Sequence, residues 1–295
     1  MQRRLWIAFA ALSIVIGLVA ATPAAAITAS DTTNKGLYIS PLRSYLTLNA
    51  GDSVTRAFTV ANLTEEPMAI RFHVEEFSVT DYAYDYRFNA VDNDWVQLVE
   101  QSTSLKPYES REIPYRINLP KDATPGGQYY TLYASSTVPN GTTTNTVQVA
   151  TLLYLTVDGT LKRTSEISHR PLPLVIIDPN IAYTLDIKNT GNTHYFAHIA
   201  ARLEGLFYRN APSGTSQLLM PGTTRNVEAS ITSPPLPGIY KLTSSVTPDQ
   251  GAPTLATHYF LYLPIWSIVL LVLVVVLLIH TIKKRPARLQ NTTSP

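Results

Sequence analysis

The chain has 295 residues, 45% of them hydrophobic and 15% charged, a composition too apolar for a disordered acidic or basic protein. It contains no cysteine, which excludes disulfides, thiolate zinc sites, iron–sulfur clusters and cysteine nucleophiles. Six of the 23 basic residues flank two apolar blocks, at 5–20 and 259–279, and leave the stretch between them net acidic, the wrong sign for a nucleic-acid binder.

Residues 1–26 read as a secretory signal peptide. Arg3 and Arg4 precede the apolar Leu5–Ala20 run, and Ala24-Ala25-Ala26 supplies an A-x-A cleavage site. An uncleaved anchor is the alternative, and either reading exports the chain downstream of it.

From residue 36 the pattern changes to short alternating runs separated by Pro, Gly, Asn and Asp. Met68, Ile70, Phe72 and Val74 alternate with Ala69, Arg71 and His73, and Ile113, Tyr115, Ile117 and Leu119 repeat the pattern, as do Tyr183, Leu185 and Ile187. A period of two marks strands with one face in a core and one in water. The fold class expected is all-β: two tandem immunoglobulin-like β-sandwiches followed by one transmembrane α-helix. The expected boundaries are 36–158 for the first sandwich, 159–171 for a linker and 172–258 for the second sandwich.

An internal repeat supports two units. Leu105, Pro107, Arg111, Ile117 and Pro120 are matched by Leu219, Pro221, Arg225, Ile231 and Pro234 at one constant offset. Gly127-Gln128-Tyr129 then answers Gly238-Ile239-Tyr240, and a strand ending at Asn62 answers one ending at Asn189. The Tyr that opens a strand after each Pro/Gly corner resembles the tyrosine corner of Ig-type sandwiches, whose hydroxyl ties back to nearby backbone.

Residues 259–280 have no charge and are long enough to span a bilayer as a helix, which takes about 20 residues. Tyr259, Tyr262 and Trp266 suit a headgroup boundary, and Lys283-Lys284-Arg285 should remain cytoplasmic, leaving 281–295 as a short basic tail. The expected product is a single-pass type I protein of the cell membrane with its sandwiches outside.

Several residues carry a resemblance. Leu48-Asn49-Ala50-Gly51-Asp52 leads into a β run and an Asn turn, and Leu119 to Tyr130 reads LP-DA-PGG-YY. This is similar to the peptidoglycan-binding half of the WxL-interacting proteins of Gram-positive bacteria, with Ile39-Ser40-Pro41-Leu42 the nearest counterpart of their first strand. The resemblance implies two Ig-like domains on a C-terminal membrane anchor and a peptidoglycan-binding role.

The most distinctive stretch is Val79 to Trp95, where the first unit is longer than the second. Alternation would place Tyr82, Tyr84, Tyr86 and Phe88 on one strand face and Asp81, Asp85 and Arg87 on the other. Aromatic faces stack on sugar rings, so Tyr82, Tyr84, Asp85, Tyr86, Arg87 and Trp95 form a candidate glycan-binding surface. The alternatives are a hairpin whose tyrosines pack onto the sandwich and a calcium loop at Asp92-Asn93-Asp94, which lacks the ligand spacing and Gly of an EF-hand.

No catalytic motif is present. His194 and His198 on one strand lack a nearby third ligand and read as surface residues. Glu65-Glu66 and Glu75-Glu76 cannot act as glycosidase pairs alone, because neighbours on a strand point apart. The expectation is a non-enzymatic binding or scaffolding protein without cofactor or metal, whose partner is cell-wall polymer or a secreted surface protein. Ig-like sandwiches also bind partners by strand addition at an open sheet edge, for which Thr137 to Val149 is the candidate hairpin; the rival is a pilus-type assembly chaperone that adds a strand to a client, a kind of protein that is normally soluble.

Overall fold

The computed structural model describes residues 36–140, 143–211 and 213–283; the expected signal peptide and nearly all of the expected tail lie outside them. The first sandwich has one sheet ordered β1 (Leu37–Ser40), β3 (Ser53–Asn62), β8 (Ser110–Asn118) and β6 (Val96–Leu98). Its other sheet is ordered β2 (Arg43–Leu48), β10 (Thr143–Val157), β9 (Gly126–Asn140), β4 (Met68–Val79) and β5 (Tyr86–Asn89), and β7 (Ser102–Leu105) pairs with the start of β4. The expected alternation holds on β4: Met68, Ile70 and Phe72 are buried while Ala69, Arg71 and His73 face water. Facing rows meet in a core that includes Phe58, Ile70, Leu105, Ile113, Ile117 and Leu153. Each such side chain contributes about 1.5–3 kcal/mol by leaving water.

The second sandwich repeats the plan. One sheet is ordered β11 (Ser165–His169), β13 (Asn180–Asn189) and β17 (Thr224–Thr232). The other is ordered β12 (Val175–Ile176), β19 (Thr254–Tyr262), β18 (Gly238–Pro248), β14 (Tyr195–Gly205) and β15 (Tyr208–Arg209), with β16 (Ser213–Leu219) also on β14. In both units the first strand pairs antiparallel in one sheet, and the chain then crosses to lie parallel beside the last strand of the other. The duplication read from scattered residues is therefore a duplication of topology, with β6 added in the first unit.

The repeat also marks equivalent chemistry. The Asn62 amide donates to the carbonyls of Glu66 (2.7 Å), Lys106 (3.0 Å) and Leu105 (3.5 Å). Asn189 donates to those of Thr193 (2.9 Å) and Leu219 (3.0 Å). Their carbonyl oxygens accept from the backbone of Thr64 and Gly191, two residues on. Both asparagines are fully buried and hold the end of a strand to the loop that carries the matched leucine. Tyr240 makes the expected corner, donating its hydroxyl to the Leu236 carbonyl (2.9 Å).

Two boundaries differ from expectation. The stretch 159–171 is not all linker: Ser165–His169 forms β11, paired with Leu185–Asn189. Its charged neighbours gave it a linker composition, but Ser165 is buried and Ile167 packs on the core. Tyr259–Tyr262 belong to β19, paired with β18, with Phe260 and Tyr262 in the core. The apolar helix α1 spans Ile265–Lys283, later than 259–280. It is long and apolar enough to cross a membrane, and none of its apolar window is buried.

Candidate functional site

The Tyr-rich insertion does not form one aromatic strand. Tyr82 and Tyr84 have φ of 64° and 61°, a left-handed backbone that bulky residues rarely adopt, so alternation stops there. The loop they form reaches the second sandwich. Tyr82 donates its N–H to the Thr224 carbonyl (2.6 Å), and Asp81 accepts from the Thr224 N–H (2.6 Å). The Tyr84 hydroxyl accepts from the Met220 N–H (2.9 Å) and bonds the Thr223 hydroxyl (3.1 Å), while the Arg225 guanidinium lies 4.5 Å above its ring. Left-handed residues of this size cost about 1–3 kcal/mol each, so contacts across the interface hold this loop in place.

The six candidate residues are thereby separated. Tyr82 and Tyr84 face the second sandwich. Tyr86, on β5, remains 41% exposed, stacked beside Phe88 and edge-on to Phe77. Asp85 and Arg87 are exposed, with the Asp85 N–H given to the Thr80 hydroxyl (3.1 Å). Trp95 packs against the first core and its carbonyl accepts from Asn118 (2.8 Å). The expected single sugar-stacking face is not assembled, because turn geometry redirects half of it.

Around this loop the two sandwiches share an aromatic cluster. Tyr45 stacks on Tyr154 at 4.8 Å, and Tyr129, Phe77, His194 and Phe196 close around them. Tyr129 occupies the corner position of the first unit but does not close a corner. Its oxygen accepts from the His194 N–H (3.0 Å), and its hydroxyl reaches His194 Nδ1 (3.2 Å). Burial pushes the Tyr129 and Tyr154 hydroxyls well above their usual pKa. Burial, then Arg163, holds the His194 ring down to a pKa of about 4, so it is a neutral imidazole at neutral pH. His194 is thus an interface residue, where a surface residue was expected; His198 is exposed as expected. Among the described residues no three metal-ligating side chains gather.

Between the sandwiches lies a cleft of about 390 Å³, walled by Tyr84, Tyr86, Tyr154 and Phe196 and bearing Arg43 and Arg225. Arg225 donates one N–H to the Leu218 carbonyl (2.8 Å). Neither arginine pairs with a carboxylate among the described residues. Two guanidinium groups on aromatic walls fit a carboxylate carried on an apolar chain.

The cleft adjoins an open edge. β2 covers β10 only from Leu152, where the Leu152 N–H meets the Leu42 carbonyl (3.0 Å), to Val157. From Asn145 to Thr151 the outer side of β10 has no strand partner among the described residues. Because the Leu152 N–H points outward, those of Thr146, Gln148 and Ala150 do too. Val147 and Val149 lie half-buried against the first core. The anticipated edge hairpin is therefore β9–β10. The cleft arginines were not anticipated as site residues; Arg225 appeared only as a repeat position, and Arg43 carried no signal.

No protein-family model and no curated protein matches the sequence. Among solved structures, the chain is similar to the class 5 fimbriae chaperone CfaA, at 13% identity and a TM-score of 0.46, over 78% of this chain and 100% of that one. It is also similar to the CsuC–CsuE chaperone–subunit pre-assembly complex of Acinetobacter baumannii Csu pili, at 13% identity and a TM-score of 0.41, over 77% and 99% of the two chains. The YadV chaperone matches at 12% identity and a TM-score of 0.38, over 76% and 99%. The likeness is one of architecture, two Ig-like sandwiches in tandem.

Proposed function

We propose that this protein is a non-catalytic, membrane-tethered holder of an extended protein segment, which adds as a strand to the open edge of β10. The observation that carries this reading is the run Asn145–Thr151, whose outward N–H and C=O groups lack a ladder partner among the described residues. A segment running parallel to β10, as β2 does, would continue the line of β2 and bring its C-terminal end to Leu42 and Arg43. A free chain terminus there would find Arg43 and Arg225 at the mouth of the cleft. Backbone pairing would supply affinity without demanding one sequence, and Val147 and Val149 would favour apolar side chains on the added strand.

In this reading α1 is the membrane anchor, with the sandwiches on the extracytoplasmic side and the basic residues after the helix inside. The layout is that of the WxL-interacting proteins, whereas the partner is a secreted or surface protein. Of the aromatic face on which a glycan partner depended, Tyr84 is engaged at the interface and Trp95 on the first core, leaving Tyr86 exposed apart from them.

The test is photo-crosslinking in the producing cell, using the full chain with a benzophenone amino acid at Thr146 and, as control, at Arg116 on the opposite sheet. A protein adduct is expected at Thr146 alone. Gln148→Pro deletes an outward N–H while leaving the ladder to β9 intact, and should abolish it; Arg43→Ala should weaken it. An adduct that survives Gln148→Pro would sink the strand-addition reading.

A further inference from the structure

β19 ends at Tyr262 and α1 begins at Ile265, so only Leu263 and Pro264 separate the second sandwich from the helix. The Leu263 N–H is itself bonded to the Ile176 carbonyl (2.9 Å). Two free residues span at most about 10 Å, so a bilayer crossed by α1 must lie against this end of the sandwich.

That end is unusually apolar. Strand register brings three turns together beside Tyr262: the β14–β15 turn, the approach to β18, and the β12–β13 turn. Their tips carry Leu206 and Phe207, 88% and 86% exposed, with Ile239 at 71%, Leu236 at 50% and Ile177 at 47%. Leu206, Phe207, Leu236 and Ile239 surround a shallow hollow of about 330 Å³ over Tyr240. Across 205–208, 233–239 and 262–264 there is no charged residue, and 174–179 adds only Asp178.

The internal repeat provides a control. The corner that reads Pro120-Lys121-Asp122-Ala123 in the first sandwich reads Pro234-Pro235-Leu236-Pro237 in the second. The same turn is charged where it is remote from α1 and apolar where it adjoins it. Exposed apolar tips on a soluble end would be a liability, whereas beside headgroups they bury against acyl chains. Trp266, half-exposed in the first turn of α1, has the interfacial preference of its residue type.

We propose that the α1-proximal end of the second sandwich docks into the interfacial layer of the bilayer through Leu206, Phe207, Leu236 and Ile239, fixing how the sandwich stands on the membrane. The inference rests on α1 being a membrane span. It makes the anchor a rigid mount in place of a tether, because the sandwich then has contacts of its own with lipid.

The absence of cysteine permits single-site labelling of the full chain. An environment-sensitive fluorophore is attached at Phe207→Cys, Leu236→Cys, Lys121→Cys and Leu273→Cys in phosphatidylcholine vesicles, with or without bromines on the upper acyl chain. Aqueous iodide serves as the opposing quencher, and unfolding curves confirm that each variant is folded. Labels at 207 and 236 are expected to shift to the blue, lose emission to bromolipid and resist iodide, whereas the label at 121 should do the reverse. Phe207→Glu placed behind the 236 label should reduce its loss of emission to bromolipid. Quenching at 273 with the 207 and 236 labels as open to iodide as 121 would overturn the docking and leave the span intact. No bromolipid quenching at 273 would overturn the span, and the docking with it.

Discussion

At the scale of single residues, Asn62 and Asn189 each hold a strand end to a loop from inside the core. Replacing Asn62 by Ala removes the amide's bonds to the Glu66, Lys106 and Leu105 carbonyls from a fully buried position, a loss on the order of 1–3 kcal/mol. Asn62→Asp is the sharper test, since it keeps the shape and turns the donor into an acceptor facing carbonyl oxygens. Urea titration should find Asp no better tolerated than Ala at either position. If Asp restores stability, the donor role assigned to the side-chain amide is wrong.

His194 gives the residue scale a pH dependence. Its folded pKa of about 4 lies below the roughly 6.5 of an unfolded histidine, so the unfolded chain binds the extra proton first. Its contribution is therefore intact above pH 6.5 and is lost as pH falls toward 4, at up to about 1.4 kcal/mol per pH unit. His169 is shifted the same way, by burial and then by His258, and adds to the slope. Stability measured by denaturant between pH 7 and 4.5 should decline, and His194→Gln should flatten the decline by about one proton. An unchanged slope in His194→Gln would place the titration elsewhere.

At the scale of elements, the docking of turns explains two glycines. Gly126 sits at φ 147° with its place for a Cβ 2.7 Å from the Asn192 carbonyl, and the next N–H, of Gly127, donates to that same oxygen (2.9 Å). A Cβ at Gly191 would run into the Lys162 carbonyl, on the stretch that joins the sandwiches. Gly191→Ala should thus loosen the connection while each sandwich keeps its own core. Proteolysis is expected to cut near 159–163 faster in that variant, and an unchanged cutting rate would mean that the segment yields without consequence.

The same scale shows what was legible in the sequence. Alternation on β4 and β8, the Asn pair and the Tyr240 corner could be read because each depends on local period or on residues repeated in order. The Tyr82–Tyr84 turn could not, since a left-handed tyrosine is chosen by its partners in the other sandwich, Met220 and Thr224. Tyr129 looks like Tyr240 in sequence, yet its hydroxyl serves His194, a residue 65 positions on. The threonine-rich run Thr137 to Val149 points to an edge hairpin. The extent of the open edge depends on where β2 stops, and that is a property of register.

At the scale of the whole molecule, the interface decides whether the edge and the cleft act together. Arg43 comes from the first sandwich and Arg225 from the second, so the pair exists only while the two remain docked. The docking relies on the aromatic cluster and on hydrogen bonds from both sides; the Tyr84 hydroxyl makes two of them, and the Asn192 side chain bonds Pro125 of the first sandwich and Thr160 and Lys162 of the joining stretch. Neutral bonds of this kind contribute about 1 kcal/mol each, so removing these five should weaken the coupling without reaching either core. Calorimetry of the full chain in detergent is expected to show one cooperative transition for both sandwiches, and Tyr84→Phe combined with Asn192→Ala should split it in two. The double variant keeps every residue of the β10 edge. If strand addition alone holds the partner, crosslinking at Thr146 will persist in it; if the end of the segment is gripped between the arginines, crosslinking will fall as the transitions separate. The second outcome is expected, because the cleft lies where a strand added parallel to β10 would end.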